Sequence, residues 1–189
     1  PSNPCSEIVL RSKQFINITQ VVARPDDTLQ TLTKKMELAT ILGTMQASLT
    51  NFRYLSSVWK RNTEEEALLG VSITGIMDHT VLAGEKYTTK GFEEAITHDF
   101  DNYPMVSLQK ILQLLKEKAI ETNKIWSGKL GVNPSAAITC VKPSGTVSQL
   151  VDSASGIHPR YSNFYIRTVR ADKKDPLAQM MIDQGFPYE

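Results

Sequence analysis

Asn3, Cys5 and Glu7 stand two residues apart from one another in the opening segment PSNPCSEIVL, and between them they offer an amide, a thiol and a carboxylate. In an extended segment, side chains two apart point to the same side, so all three would converge on one small ligand. Pro4 fixes its own φ and biases Asn3 away from helix, which favours the extended reading over a helical one. The same residues also fit an ordinary loop around a buried cysteine, because a free Cys is often just a small core residue.

A second candidate lies in KPSGTVS. It places Lys142, Pro143, Ser144, Gly145, Thr146, Val147 and Ser148 where the C-terminal end of a strand meets the start of a helix. Free backbone N–H groups and the helix dipole favour a phosphate there, and Gly145 permits close backbone approach. The spacing is not that of a Walker loop, so an ordinary turn is the competing reading. Cys140 sits inside an apolar run and reads as core. His158, between Gly156 and Pro159 as its near neighbours, reads as a structural loop histidine rather than a general base.

The elements that must position these groups alternate between strand and helix. FINITQVV (15–22) is rich in β-branched residues and predicts a strand; RPDDT supplies a turn and a helix N-cap at Asp27 or Thr28. Leu29, Leu32, Met36, Ala39, Leu42, Met45 and Leu49 recur at three- and four-residue steps and predict a long helix with one buried stripe. ALLGVSITGIMDH predicts a buried strand ending at Gly75, preceded by a solvated acidic run, Glu64 to Glu66. A second long helix buries Leu108, Ile111, Leu112, Leu115 and Ala119, with Lys110, Lys116 and Glu117 outside. Ala136 to Val141 predicts a strand running into the Pro-Ser-Gly-Thr turn. YIRTVR predicts another, and Asp175 with Pro176 starts a final helix that Gly185 closes. This order predicts an α/β fold, with largely parallel strands joined by crossover helices.

Composition narrows the function classes. The 189 residues are 41% hydrophobic and 22% charged, enough to bury a core as a single region. A net charge of +1 argues against a nucleic-acid-binding surface, and two cysteines are too few for a disulfide framework. A reducing cytoplasm is the expected location, with no membrane partner, since no apolar run approaches the roughly 18 residues of a membrane span. The most suggestive residues lie at the extreme N-terminus, so the chain is expected to be a piece of something longer.

NPCSEI, VKPSGTVSQL and SGIHPRYSNFYIRTVRADKKDPL, in this order, resemble the C-terminal half of the catalytic barrel of ribonucleotide reductases, above all the adenosylcobalamin-dependent ribonucleoside-triphosphate reductases. The resemblance implies half of a ten-stranded α/β barrel, with residues 1–12 as the finger loop in its centre and 142–148 as the phosphate-binding turn. It implies reduction of ribonucleotides, triphosphates by preference, to deoxyribonucleotides for DNA synthesis, with adenosylcobalamin as cofactor. Cys5 would carry a thiyl radical that takes the 3′-hydrogen, Glu7 would take the 3′-hydroxyl proton, and Asn3 would hold the sugar hydroxyls. Residues Pro143 to Ser148 would anchor the phosphates. The implied partners are the ribonucleotide, a complementary half-barrel chain and a thioredoxin-type reductant.

One position departs from the family. Where its pattern reads QFCN, this chain reads QFIN, and Ile16 cannot supply an electron. A different reductant, a cysteine elsewhere and a chain without turnover all answer to that change. Two further readings are a non-catalytic nucleotide-binding or assembly fragment and a large-subunit piece of a diiron-type reductase.

Overall fold

The computed structural model describes residues 1–84 and 108–189. The β-branched run condenses into strand β1, Asn17–Val22, and the apolar run after the acidic stretch into β2, Leu69–Thr74. They pair in parallel, in register from Asn17 opposite Leu69 to Val22 opposite Thr74. The crossover between them carries helices α1, Leu29–Ala47, and α2, Ser57–Glu66. Thr28 is the N-cap of α1: its hydroxyl accepts from Thr31 N–H, and Thr31 Oγ1 accepts in return from Thr28 N–H. After β2 come a single 3₁₀ turn, Ile76–Asp78, then α3, Leu108–Leu130, the short α4, Thr146–Leu150, and α5, Pro176–Asp183. Asp175 caps α5 by accepting from Leu177 N–H, with Pro176 in the first turn and Gly185 left-handed just beyond its end, as the sequence predicts.

Helices α1 and α3 cover one face of the sheet. Leu29, Leu32, Met36 and Ala39 from α1 and Ile111, Leu115 and Ala119 from α3 meet Val21 and Val71 in the core. The α1 stripe does not continue as its apolar residues would have it. Leu42, Met45 and Leu49 are exposed, while Thr40, Gly43, Thr44 and Ala47 are buried. The buried face keeps the helical period of 3.6, and successive three-residue steps from Ala39 to Met45 carry the apolar side chains off it. Thr40 and Thr44 tolerate burial because each hydroxyl donates to the carbonyl four residues back. On α3, Leu112 is likewise more exposed than expected and Lys110 half-buried, and the buried stripe ends in Thr122, Asn123 and Ser127.

Two expected strands are not regular. Residues 136–140 run alongside β2, but Leu69 N–H and Val71 N–H donate to the consecutive carbonyls of Ala137 and Ile138, so one residue is bulged and only Thr139 bridges to Val71. The YIRTVR segment is exposed and unpaired: strand hydrogen bonds need a neighbour, and no strand lies beside it among the described residues. No helix among the described residues is long and apolar enough to cross a membrane.

Candidate functional site

The opening segment is a closed loop rather than a strand. Ser2 bridges antiparallel to Val9, Ser6 N–H donates to Asn3 O at 2.9 Å, and Ser6 is left-handed at φ 59°. Asn3 closes the turn from inside: it is buried, and its Oδ1 accepts from Ile8 N–H. The period-two argument therefore fails for Cys5, while the Asn3 amide and the Glu7 carboxylate still meet on the buried side of the loop. Cys5 stands exposed at the tip, and Glu7 turns inward with 2% of its side chain exposed.

The acidic run is solvated at Glu64 and Glu65 as expected, and it also holds this loop in place. Arg11 reaches both Glu65 and Glu66, and Gln14 donates to Glu66 Oε2 and to Asn62 O. Glu66 is kept below the usual carboxylate range by Gln14 and Arg11. Phe15 adds a tilted stack on Phe52 and Trp59, with centroids 4.9 and 4.8 Å away.

Through Lys142, Glu7 is tied to the chain segment that covers the sheet face opposite α1 and α3. Alternation along the strands puts Ile18 and Gln20 from β1 and Gly70, Ser72 and Thr74 from β2 on this side. Lys142 Nζ lies 3.4 Å from Glu7 Oε1. Burial raises the carboxyl's pKa, but its own backbone N–H, the Asn3 amide and the Lys142 ammonium outweigh that and hold it below its ordinary value. Glu7 is thus a carboxylate at neutral pH, and its Oε2 is buried without a hydrogen-bond partner.

Cys140 belongs to this face and not to the core. It lies half-buried beyond the bulge, and its Sγ and Ile16 Cδ1 lie 3.0 and 3.4 Å from where a Cβ on Gly70 would sit. Burial, and after it the Glu7 charge, push its thiol up to about 11, with Lys142 opposing. The thiol is therefore protonated at neutral pH.

In the Pro143–Ser148 turn the groups divide. Ser144 and Ser148 are buried: the Ser144 hydroxyl donates to Gln20 Oε1 at 3.0 Å, and that of Ser148 to Gly145 O at 2.6 Å. Gly145, at φ 53° and ψ −125°, occupies a backbone region closed to other residues, and open space surrounds the place a Cβ would take. Gly145 N–H donates to Ser155 Oγ, while Pro143, Thr146 and Val147 are exposed. His158 is exposed and bonded only locally to Ser155, whereas Arg160 clamps Asp78 bidentately and also pairs with Asp152. That clamp ties the turn after β2 to the 151–160 loop and holds Asp78 below the usual range despite burial, the larger opposing influence. Sequence reasoning passed over Gln20 and Ser72, which sit inside strand runs, and His79. The last is 1% exposed and pins the backbone, with Nε2 bonded to Asp27 O and Nδ1 accepting from Val81 and Leu82 N–H. No cluster of three or more metal-ligating side chains occurs among the described residues.

This is a parallel α/β sheet with helices on one face and a polar, incompletely bonded surface on the other, and it has the fold of part of a ribonucleotide reductase. The crystal structure of a B12-dependent, class II ribonucleotide reductase matches 85% of the chain with a TM-score of 0.58 at 23% identity, using 23% of its own length. In sequence, the chain is similar along its full length to the adenosylcobalamin-dependent ribonucleoside-triphosphate reductases of Lactobacillus acidophilus (29% identity), Levilactobacillus brevis (26%) and Lactobacillus leichmannii (25%). It spans about a quarter, 26%, of the length of each of these relatives. No family model matches the chain.

Proposed function

We propose that this chain is the part of a ribonucleoside-triphosphate reductase that carries the thiol and the base of the reaction, with its sheet completed into a barrel by chain outside these residues. The observation that carries the reading is a buried, ionised carboxylate with one oxygen lacking a partner, on the same short loop as an exposed thiol two residues away. Residues 1–12 then correspond to the finger loop, and the sheet face opposite α1 and α3 to the barrel interior.

The net reaction exchanges a ribose 2′-hydroxyl for hydrogen, releases water and converts two thiols to a disulfide. The 3′-carbon has no acidic hydrogen, so a sulfur-centred radical on Cys5 would abstract it as a hydrogen atom. Glu7 Oε2 would accept the 3′-hydroxyl proton, and the departing 2′-hydroxyl would leave as water with a proton from the thiol pair that becomes the disulfide. A positioned base of this kind contributes roughly 10²–10⁴ in rate. Asn3 and Lys142 keep Glu7 anionic and oriented, so in this reading Asn3 acts on the sugar through the carboxylate. Adenosylcobalamin, when bound, supplies the radical character that Cys5 needs; the exposed thiol fits that exchange, and no residue of this chain is assigned to hold the corrin. The Pro143–Ser148 turn, with its open space at Gly145, would take the phosphates.

Ile16 leaves the disulfide-forming pair short of one thiol on this chain. Cys140 shares the spot beside Gly70, but burial and Glu7 keep it protonated. In the full-length enzyme containing this segment, Cys5→Ala should abolish deoxynucleotide formation and leave nucleotide affinity within a few-fold. Normal turnover by the alanine variant would sink the assignment.

A further inference from the structure

Two orphaned polar atoms lie side by side on the sheet face opposite helices α1 and α3. Gln20 and Ser72 are register partners on adjacent strands, and their side chains project to the same side. Ser72 is 2% exposed and its Oγ has no partner; Gln20 Nε2 is buried and has none either. Buried polar groups are bonded in the great majority of cases, so an adjacent unbonded pair calls for a ligand. The pair is also oriented. Ser144 Oγ donates to Gln20 Oε1, which turns the amide's NH2 group away from Ser144.

Position on the sheet says which ligand atoms arrive there. Lys142, paired with Glu7, lies between Cys140, whose Sγ sits beside Gly70, and Ser144; Ser72 is one step beyond Gly70 on the same side of β2, about 6.5 Å on. Ser144, at the head of the phosphate turn, bonds directly to Gln20. A nucleotide whose sugar sits at Glu7 and whose phosphates reach the turn must cross Gln20 and Ser72. We infer that Gln20 Nε2 and Ser72 Oγ form a neutral donor shelf for the phosphate oxygens next to the ribose, fixing how far the sugar reaches toward Cys5. The inference rests on the reductase reading for the placement of sugar and phosphates.

The test uses the full-length enzyme containing this segment, with calorimetric titration of CTP and of cytidine. Ser72→Ala deletes a hydroxyl bonded to nothing in the protein, so it should leave folding intact and weaken CTP about tenfold, the loss of one charge-assisted hydrogen bond. Gln20→Glu keeps an oxygen for Ser144 but sets an anion where donors stood, and it should weaken CTP further. Cytidine affinity should stay the same in both. Unchanged CTP affinity would overturn the shelf, and so would equal weakening of CTP and cytidine. Deoxynucleotide formation by the unaltered enzyme is scored separately: its absence defeats the reductase reading, whereas loss of the CTP-over-cytidine effect defeats only this one.

Discussion

Replacing Lys142 by methionine removes the cation beside Glu7 while keeping most of the side-chain volume. The carboxylate it leaves has 2% of its side chain exposed, the lysine 26%, and the gap is 3.4 Å. Breaking a fully buried pair costs roughly 3–5 kcal/mol; with one partner partly hydrated and the contact long, about 2 kcal/mol is expected here. The sign of the pH dependence follows from Glu7, whose pKa in the folded chain lies below its ordinary value of 4.5. The pair's contribution is present above that value and disappears as pH falls through the folded pKa. Urea unfolding near pH 7 should therefore separate Lys142→Met from the unaltered protein by about 2 kcal/mol, and the gap should shrink as pH falls through the lowered pKa of Glu7. In the full-length enzyme the acid limb of the rate profile should move to higher pH, because Glu7 without Lys142 is easier to protonate. Equal stability near pH 7, or a gap that persists in acid, would refute the pairing as the source of the ionised base.

Alkylation by iodoacetamide near pH 8 should label Cys5 well before Cys140, since one is exposed and the other is half-buried with its thiol held up to about 11; mass mapping that finds the reverse order would overturn the site geometry. Gly75→Ala should destabilise the fold by about 3 kcal/mol, because φ is +79° and a Cβ would meet Ala23 O at 2.5 Å, which denaturant titration reads directly. Ile16→Cys should raise deoxynucleotide yield per active site with excess dithiothreitol as sole reductant, and many turnovers by the unaltered enzyme would contradict the role given to Ile16.

Periodicity made the helix ends and the two paired strands legible: Thr28, Asp175 and Gly185 carry local chemistry that acts wherever the chain goes. The opening loop was not, because Asn3, Cys5 and Glu7 are two apart in either a strand or a turn, and only the Ser2–Val9 bridge and the left-handed Ser6 decide which. Glu65 and Glu66 looked merely solvated because their partner, Arg11, is more than fifty residues away. Cys140 in an apolar run reads as core, and the Val71–Thr139 bridge, with Thr139 on the Val71 side, puts its neighbour Cys140 on the other face. Gln20 and Ser72 gave no signal at all, since a polar residue in a strand is ordinary until its hydrogen bonds are traced.

Glu7 and Lys142 are 135 residues apart in the chain. At about 5–20 residues per second of synthesis, the lysine follows the glutamate by on the order of ten seconds. For that interval the loop cannot be packed in its final form, because burying the carboxylate alone is unfavourable. The parallel pairing of β1 with β2 forms earlier in synthesis and builds the floor of the site, and the loop settles onto it only after the Lys142 turn emerges. The chemistry-bearing loop is thus made before the sheet that floors it and structured after it, so a chain cut short before position 142 would expose its thiol without assembling its base.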